Sequence, residues 1–198
     1  MNEHKMAANK PFKHQPLNLD RTQIRLFRLI PTERSGGLAG IITTFDFENC
    51  PEYRAVSYTW EPPDPTREIS IEGQGLTIRE NLWQFLDVAR DLVEDWLWID
   101  QVCIDQSVVD ERNHQVSLMA MIYANAFEVL LWLGAEADGS GEAMEAINSG
   151  LVRCASTNRK CRVSSAGLIG IGFGSFKRSS WPKISRLYAA TRFLLGRL

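Results

Sequence analysis

Four carboxylates, Glu61, Asp100, Asp105 and Glu111, and the neighbouring Arg112 are the residues whose types and spacing could do chemistry in this chain. Paired carboxylates can share general acid–base work or hold a ribose, and a guanidinium can grip a phosphate through two parallel hydrogen bonds. The same residues also have a purely architectural reading. Asp100 and Asp105 can cap turns, and Glu111 can complement the positive end of a helix. Cys103 follows an apolar run and could be a nucleophile, but Val102 and Ile104 flank it and no His is close in sequence, so a buried, inert thiol is expected. The four cysteines match neither a zinc spacing nor a dense disulfide framework, and no metal site is expected. The run Gly167-Leu-Ile-Gly170-Ile-Gly172-Phe-Gly174 lacks the spacing, the preceding strand and the Lys-Ser/Thr of a phosphate loop, and reads as flexible linker.

These side chains gather only if the elements carrying them converge. Ile24–Ile30, Ile41–Phe47 and Tyr53–Trp60 read as strands, the third rich in aromatic and β-branched residues and stopped by Pro62-Pro63. Ile69–Ile71 and Leu76–Ile78 flank Glu72-Gly73-Gln74-Gly75, a hairpin signal. Asn81 is placed to cap a helix whose Leu82, Phe85, Leu86, Ala89, Leu92 and Val93 share a stripe. Trp96–Ile99 is a short apolar strand. Ser107 to Asp110 resembles a capping box before a helix that turns Val116, Met119, Ile122, Tyr123 and Ala126 to one side. Val129–Leu133 is a further strand, and Glu142–Leu151 a further helix.

Alternating strands and helices from Tyr53 to Leu133 imply crossover connections, hence an α/β fold with a mainly parallel sheet flanked by helices. In such sheets ligands bind outside the carboxyl ends of the strands. Two strands end at Trp60-Glu61 and Ile99-Asp100, which would bring Glu61, Asp100, Asp105, Glu111 and Arg112 to one rim. Trp60, Trp98 and Trp132 lie in or at the ends of strands and are expected in the core rather than as stacking platforms.

The chain has 198 residues and a hydrophobic share of 44%, enough for one domain with tails. It has no stretch long and apolar enough to cross a membrane and no secretory h-region, so a reduced, cytoplasmic protein is expected. The formal charge of −2 hides blocks of +4 over residues 1–34, −16 over 35–150 and +10 over 151–198. The last block could contact nucleic acid or an anionic membrane. It has neither a basic helix face nor interleaved aromatics, so nucleic acid is an unfavoured partner, and the tail is expected against its own acidic core. The organisation read from these patterns is a disordered leader over 1–23, an α/β domain over 24–151, a basic Ser/Gly-rich linker over 152–180, and over 181–198 the start of an amphipathic helix.

Two segments resemble a known family. Tyr53-Arg-Ala-Val-Ser-Tyr-Thr-Trp60 is similar to the first block of fungal heterokaryon-incompatibility (HET) domains. Leu97-Trp-Ile-Asp-Gln-Val-Cys-Ile-Asp-Gln106, with Glu111-Arg112, Gln115-Val116 and Trp132-Leu133-Gly134 after it, resembles the second. Glu61 replaces the family's Gly, Asp105 replaces its usual Asn, and a third block of Arg-x-Trp-x-x-Gln-Glu type is missing, which suggests a truncated domain. The resemblance implies a module for fungal non-self recognition and cell death, working with other incompatibility or signalling proteins or by self-association. It also implies a TIR-like, flavodoxin-like sandwich. Some TIR domains cleave NAD, so the alternatives implied are NAD cleavage at the carboxylate rim, with Arg112 as the phosphate contact, or an inert fragment.

Overall fold

The computed structural model describes residues 10–33, 37–60, 62–132 and 134, and the backbone of 161–163 and 168–172. Among them are the strands β1 (Gln23–Ile30), β2 (Ala39–Asp46), β3 (Tyr53–Tyr58), β4 (Thr66–Ile71), β5 (Gln74–Arg79), β6 (Trp96–Trp98), β7 (Glu128–Trp132), β8 (Cys161–Val163) and β9 (Leu168–Gly172), and the helices α1 (Glu80–Ala89), α2 (Asp100–Cys103) and α3 (Val109–Asn125). They form one sheet in the order β5-β4-β2-β1-β6-β3-β7-β9-β8.

The α/β class holds, but the sheet is mixed rather than mainly parallel. β3 lies between β6 and β7 and runs parallel to both, as the strand–helix–strand alternation requires. β2 and β4 are also parallel. Short connections impose the opposite sense on β1–β2, β4–β5 and β8–β9, and the distant pairs β1–β6 and β7–β9 are antiparallel as well. The β4–β5 turn is Glu72-Gly73, with φ of 50° and 80°. Two consecutive left-handed residues make the tight turn whose twist matches the flanking strands, and Gly73 adopts its conformation without a Cβ penalty.

The core explains the central strands. Ala55, Val56, Leu97, Trp98, Ile99, Val129 and Leu130 are buried together with Leu82, Phe85 and Leu86 of α1. Trp98 is fully buried and meets the Tyr123 ring edge-on at 5.5 Å. At the start of β3, Arg54 reaches Asp95 at 2.7 Å and Glu128 at 3.0 Å, spanning the entries of all three parallel strands. Tyr53 Oη donates to the Ile122 carbonyl at 2.6 Å, and Phe127 N–H to the Tyr53 carbonyl at 2.8 Å, so the end of α3 is pinned to β3.

Several expectations are corrected. Asn81 does not cap α1. The cap position is Arg79, and Asn81 is buried inside the first turn. Ser107 does not cap α3 either, since Val108 holds that place. The inward face of α3 carries Glu111, Gln115 and Ile122, whereas Val116 is 54% exposed. Spacing alone missed this, because two polar residues at i and i+4 take the central inward positions. Leu92 lies beyond the end of α1 and is exposed. Within the expected leader, residues from Lys10 onward dock on the domain. Gly75 N–H donates to the Lys10 carbonyl and Phe12 N–H to the Gly75 carbonyl, and Leu17 is buried. Within the expected linker, β9 runs through part of the glycine-rich run and pairs along β7. The helices expected at Glu142–Leu151 and over 181–198 lie outside the described residues.

Emptying the Trp98 site should destabilise the fold by roughly 3–5 kcal/mol, the usual cost of a lost buried aromatic. Val116→Ala, on the outer face of α3, should stay within about 0.5 kcal/mol of the parent. Urea denaturation of Trp98→Ala and Val116→Ala measures both, and equal effects would refute the assignment of faces.

Candidate functional site

The carboxyl ends of β3, β6 and β7 are fastened to one another by side chains. Beyond β6, Asp100 is the first residue of α2. Its Oδ1 accepts from Tyr58 Oη at 3.0 Å and from its neighbour Gln101 N–H at 2.7 Å, and its Oδ2 accepts from Trp60 Nε1 at 2.9 Å. Tyr58 ends β3 and Trp60 lies two residues beyond it, so a single carboxylate joins the ends of two adjacent strands. On the other side of β3, Asn81 donates to the Thr59 carbonyl at 2.8 Å and accepts from Trp132 Nε1 at 2.7 Å, joining the ends of β3 and β7.

Burial dominates the electrostatics of this cluster. It pushes the Asp100 carboxyl above the ordinary carboxylate range, against the Tyr58, Gln101 and Trp60 hydrogen bonds and the charge of Arg79, all of which favour the ionised form. Burial and then the nearby Asp100 charge push the Tyr58 hydroxyl upward, so it stays protonated as a donor. Trp60 is 43% exposed, with the Arg79 guanidinium 4.6 Å from its ring centroid. Trp98 and Trp132 are in the core as expected, and Trp60 is the exception. The cluster thus offers a positioned carboxylate with raised proton affinity beside an accessible indole, a surface able to accept hydrogen bonds or to stack a planar group.

A second polar cluster lies one loop further along. Arg25, 1% exposed on β1, makes a bidentate pair with Glu111, Nη1 to Oε1 at 2.5 Å and Nη2 to Oε2 at 2.8 Å. Arg25 also donates to the carbonyls of Cys103 at 3.0 Å and Gln15 at 2.6 Å. Glu111 Oε1 accepts the Asp105 N–H at 2.7 Å. Desolvation raises the proton affinity of Glu111, but the hydrogen bonds from Arg25 and Asp105 and the Arg25 charge outweigh it, so its carboxyl sits below the ordinary range. His14 donates through Nε2 to the Val102 carbonyl at 2.7 Å and lies 4.0 Å from Asp105.

The carboxylates expected on one rim therefore divide. Asp100 is at the strand ends. Asp105 folds back on its own loop, accepting from Ser107 N–H at 3.0 Å and Ser107 Oγ at 2.6 Å. Desolvation opposes the charge on Asp105, yet these two bonds, the nearby His14 ring and the Arg25 charge hold its carboxyl below the usual range. Glu111 leaves the rim for the interior, because the buried Arg25 guanidinium needs a counter-charge. Arg112 is exposed on α3. Glu61 lies outside the described residues. Cys103 is fully buried, and burial pushes its thiol up to about 12, the inert state expected from its apolar neighbours. Among the described residues, no group of His, Cys, Asp or Glu is arranged to hold a metal ion. Tyr58, Arg25 and His14 escape the sequence reading as site residues, and Asn81 enters it only as a cap. Arg25, a lone charge between Ile24 and Leu26-Phe27, carried a signal, since a cation in an apolar strand demands a partner.

Tyr58 and Trp60 come from one sequence block and Asp100 from the other, so the two blocks meet in space at the same carboxylate. The model of the heterokaryon incompatibility protein (HET) family matches residues 53–191. The chain belongs to the HET family. It is 35% identical over 160 residues to heterokaryon incompatibility protein 6, OR allele, of Neurospora crassa, an alignment covering 72% of this chain and 23% of that protein. The chain therefore matches less than a quarter of that relative's length. No solved structure matches it. In this HET chain both matched blocks contribute to the network at the strand ends.

Breaking the buried pair has an expected size and pH dependence. Glu111→Ala leaves Arg25 charged and unpaired, and should cost about 3–5 kcal/mol at neutral pH. The Glu111 carboxyl is lower in the folded state than unfolded. Its contribution is therefore complete above the ordinary glutamate range and disappears as pH falls through the depressed folded value. Urea titrations from pH 7 down to pH 3 should show the acid-induced loss of stability flattened in Glu111→Gln. An acid limb as steep as the parent's would rule out Glu111 as its source.

Proposed function

We propose that the chain is a heterokaryon-incompatibility module of fungal non-self recognition, acting in the cytoplasm and leading to cell death through association with other incompatibility or signalling proteins or with itself. The observation that carries this reading is the meeting of the two matched blocks at Asp100, where Tyr58 and Trp60 are held in one network. The name of the Neurospora crassa relative supports it. Among the described residues no helix is long and apolar enough to cross a membrane.

The second reading is a TIR-like hydrolase that cleaves NAD at the same ends of the strands. Asp100 favours it, as a carboxyl of raised proton affinity beside the accessible Trp60 indole. Asp105, Glu111 and Arg112 give it less support where they stand, in a turn, in a buried pair and on the outer side of α3 respectively.

Residues 53–132 can be exchanged into the matching segment of the Neurospora crassa relative and the incompatibility reaction scored in paired strains. The exchanged protein should still trigger the reaction, Asp100→Ala within it should abolish it, and Val116→Ala should not. A normally accumulating exchanged protein that triggers nothing would overturn the proposal. Cellular NAD measured in the same strains separates the readings. NAD that falls before growth stops, and does not fall with Asp100→Asn, would favour the hydrolase.

A further inference from the structure

Among the described residues, no strand pairs with the outer edge of β2 over most of its length. β4 pairs only with Ala39 and Gly40, and the chain then leaves through the Glu72-Gly73 turn, so β2 runs on past its neighbour from Ile41 to Asp46. The carbonyls of Leu38 and Gly40 accept from Ser70 and Glu72 N–H at 2.9 and 3.3 Å, which shows that even-numbered residues of β2 aim their main-chain groups away from β1. Phe47 N–H, of the odd set, donates toward β1, to the Thr22 carbonyl at 2.8 Å. The β1–β2 register is continuous from Gln23↔Asp46 to Ile30↔Ala39, so the alternation is unbroken. Ile42, Thr44 and Asp46 thus present N–H and C=O groups outward, and among the described residues no hydrogen bond reaches them. The segment Ile-Ile-Thr-Thr-Phe-Asp has strong strand propensity and lacks the Lys or Pro that commonly blunts such an edge.

We propose that this edge is a self-association surface, where β2 pairs antiparallel with β2 of a second copy about a two-fold axis at Thr44. An axis there sets Thr44 against itself and Ile42 against Asp46, matching every outward N–H and C=O of the three residues. Other centres do worse. An axis at Asp46 opposes two carboxylates, and an axis at Ile42 needs Leu38 and Gly40, which already bond β4. The self-matched register selects a second copy as the occupant, because it opposes no like charges and leaves Asp46 beside Arg21, 3.5 Å away. Thr44, at the axis, is exposed. One strand pair buries less than the roughly 1,200 Å² of stable interfaces, so the dimer is weak and concentration-dependent. This inference does not depend on the incompatibility reading.

Sedimentation velocity on the full chain over a wide concentration range tests it. The parent's average mass should rise toward twice the monomer's as concentration increases. Thr44→Lys and Thr44→Glu should each remain monomeric with unchanged circular dichroism, since each would oppose two like charges. Mixing the two variants should restore a heterodimer that weakens with added salt. A parent that is monomeric throughout, association that survives Thr44→Lys, or a mixture that fails to associate would each overturn the proposal. So would strong protection of the Thr44 amide from hydrogen exchange in the monomer, which would mean that another segment of the same chain covers the edge.

Discussion

The buried Arg25–Glu111 pair is the constraint to which much of this molecule answers. A guanidinium in the interior is intolerable without a counter-charge and acceptors for its remaining donors. Satisfying its Nη1 and Nη2 donors requires the start of α3 to supply Glu111, the end of α2 to supply the Cys103 carbonyl, and the segment before β1 to supply the Gln15 carbonyl, while Nε is buried without a partner among the described residues. Three parts of the chain are thereby set around one side chain of β1. The Asp105–Ser107 turn follows from it, since the Asp105 N–H is spent on Glu111 and the Asp105 carboxylate closes the turn with Ser107. Such a pair contributes little net stability compared with well-packed apolar residues, so its effect is chiefly to select one arrangement of these segments.

The strand ends follow a different logic. Parallel strands bring their carboxyl ends to the same side of the sheet, where main-chain groups run out of ladder partners. Asp100 and Asn81 meet that need from opposite sides of β3. Trp60 is held by its ring nitrogen rather than by burial, which leaves a large apolar surface positioned yet accessible. This is the combination that serves recognition, because an anchored aromatic gives contact area with little further loss of conformational freedom.

Local pattern made much of this legible in the sequence. Strands β1, β3, β6 and β7, helix α1 and the β4–β5 hairpin all announce themselves through periodicity or turn chemistry, and the neighbours of β3 follow from the crossovers. The antiparallel additions did not follow, because the order of strands depends on pairings between distant segments. Position along the chain set Asp100 correctly at a strand end. It misplaced Glu111, whose environment is decided by Arg25, 86 residues earlier. Asn81 looked like a cap because Asn commonly caps helices. Its actual partners, Thr59 and Trp132, lie far away on either side in sequence.

The placement of β3 has a kinetic consequence. Tyr53 pairs with Trp96 and Arg54 with Glu128, so the central strand waits for segments made long after it. Between them, the β4–β5 hairpin and α1 are local units that form within microseconds, while closing the large loops around β3 must be paid for in chain entropy before any contact rewards it. Folding should therefore end, rather than begin, with the insertion of β3. During synthesis, a nascent chain that has just emerged past β5 holds Tyr53–Tyr58 as an unpaired, aromatic-rich strand, and that interval is when the protein most needs protection from aggregation.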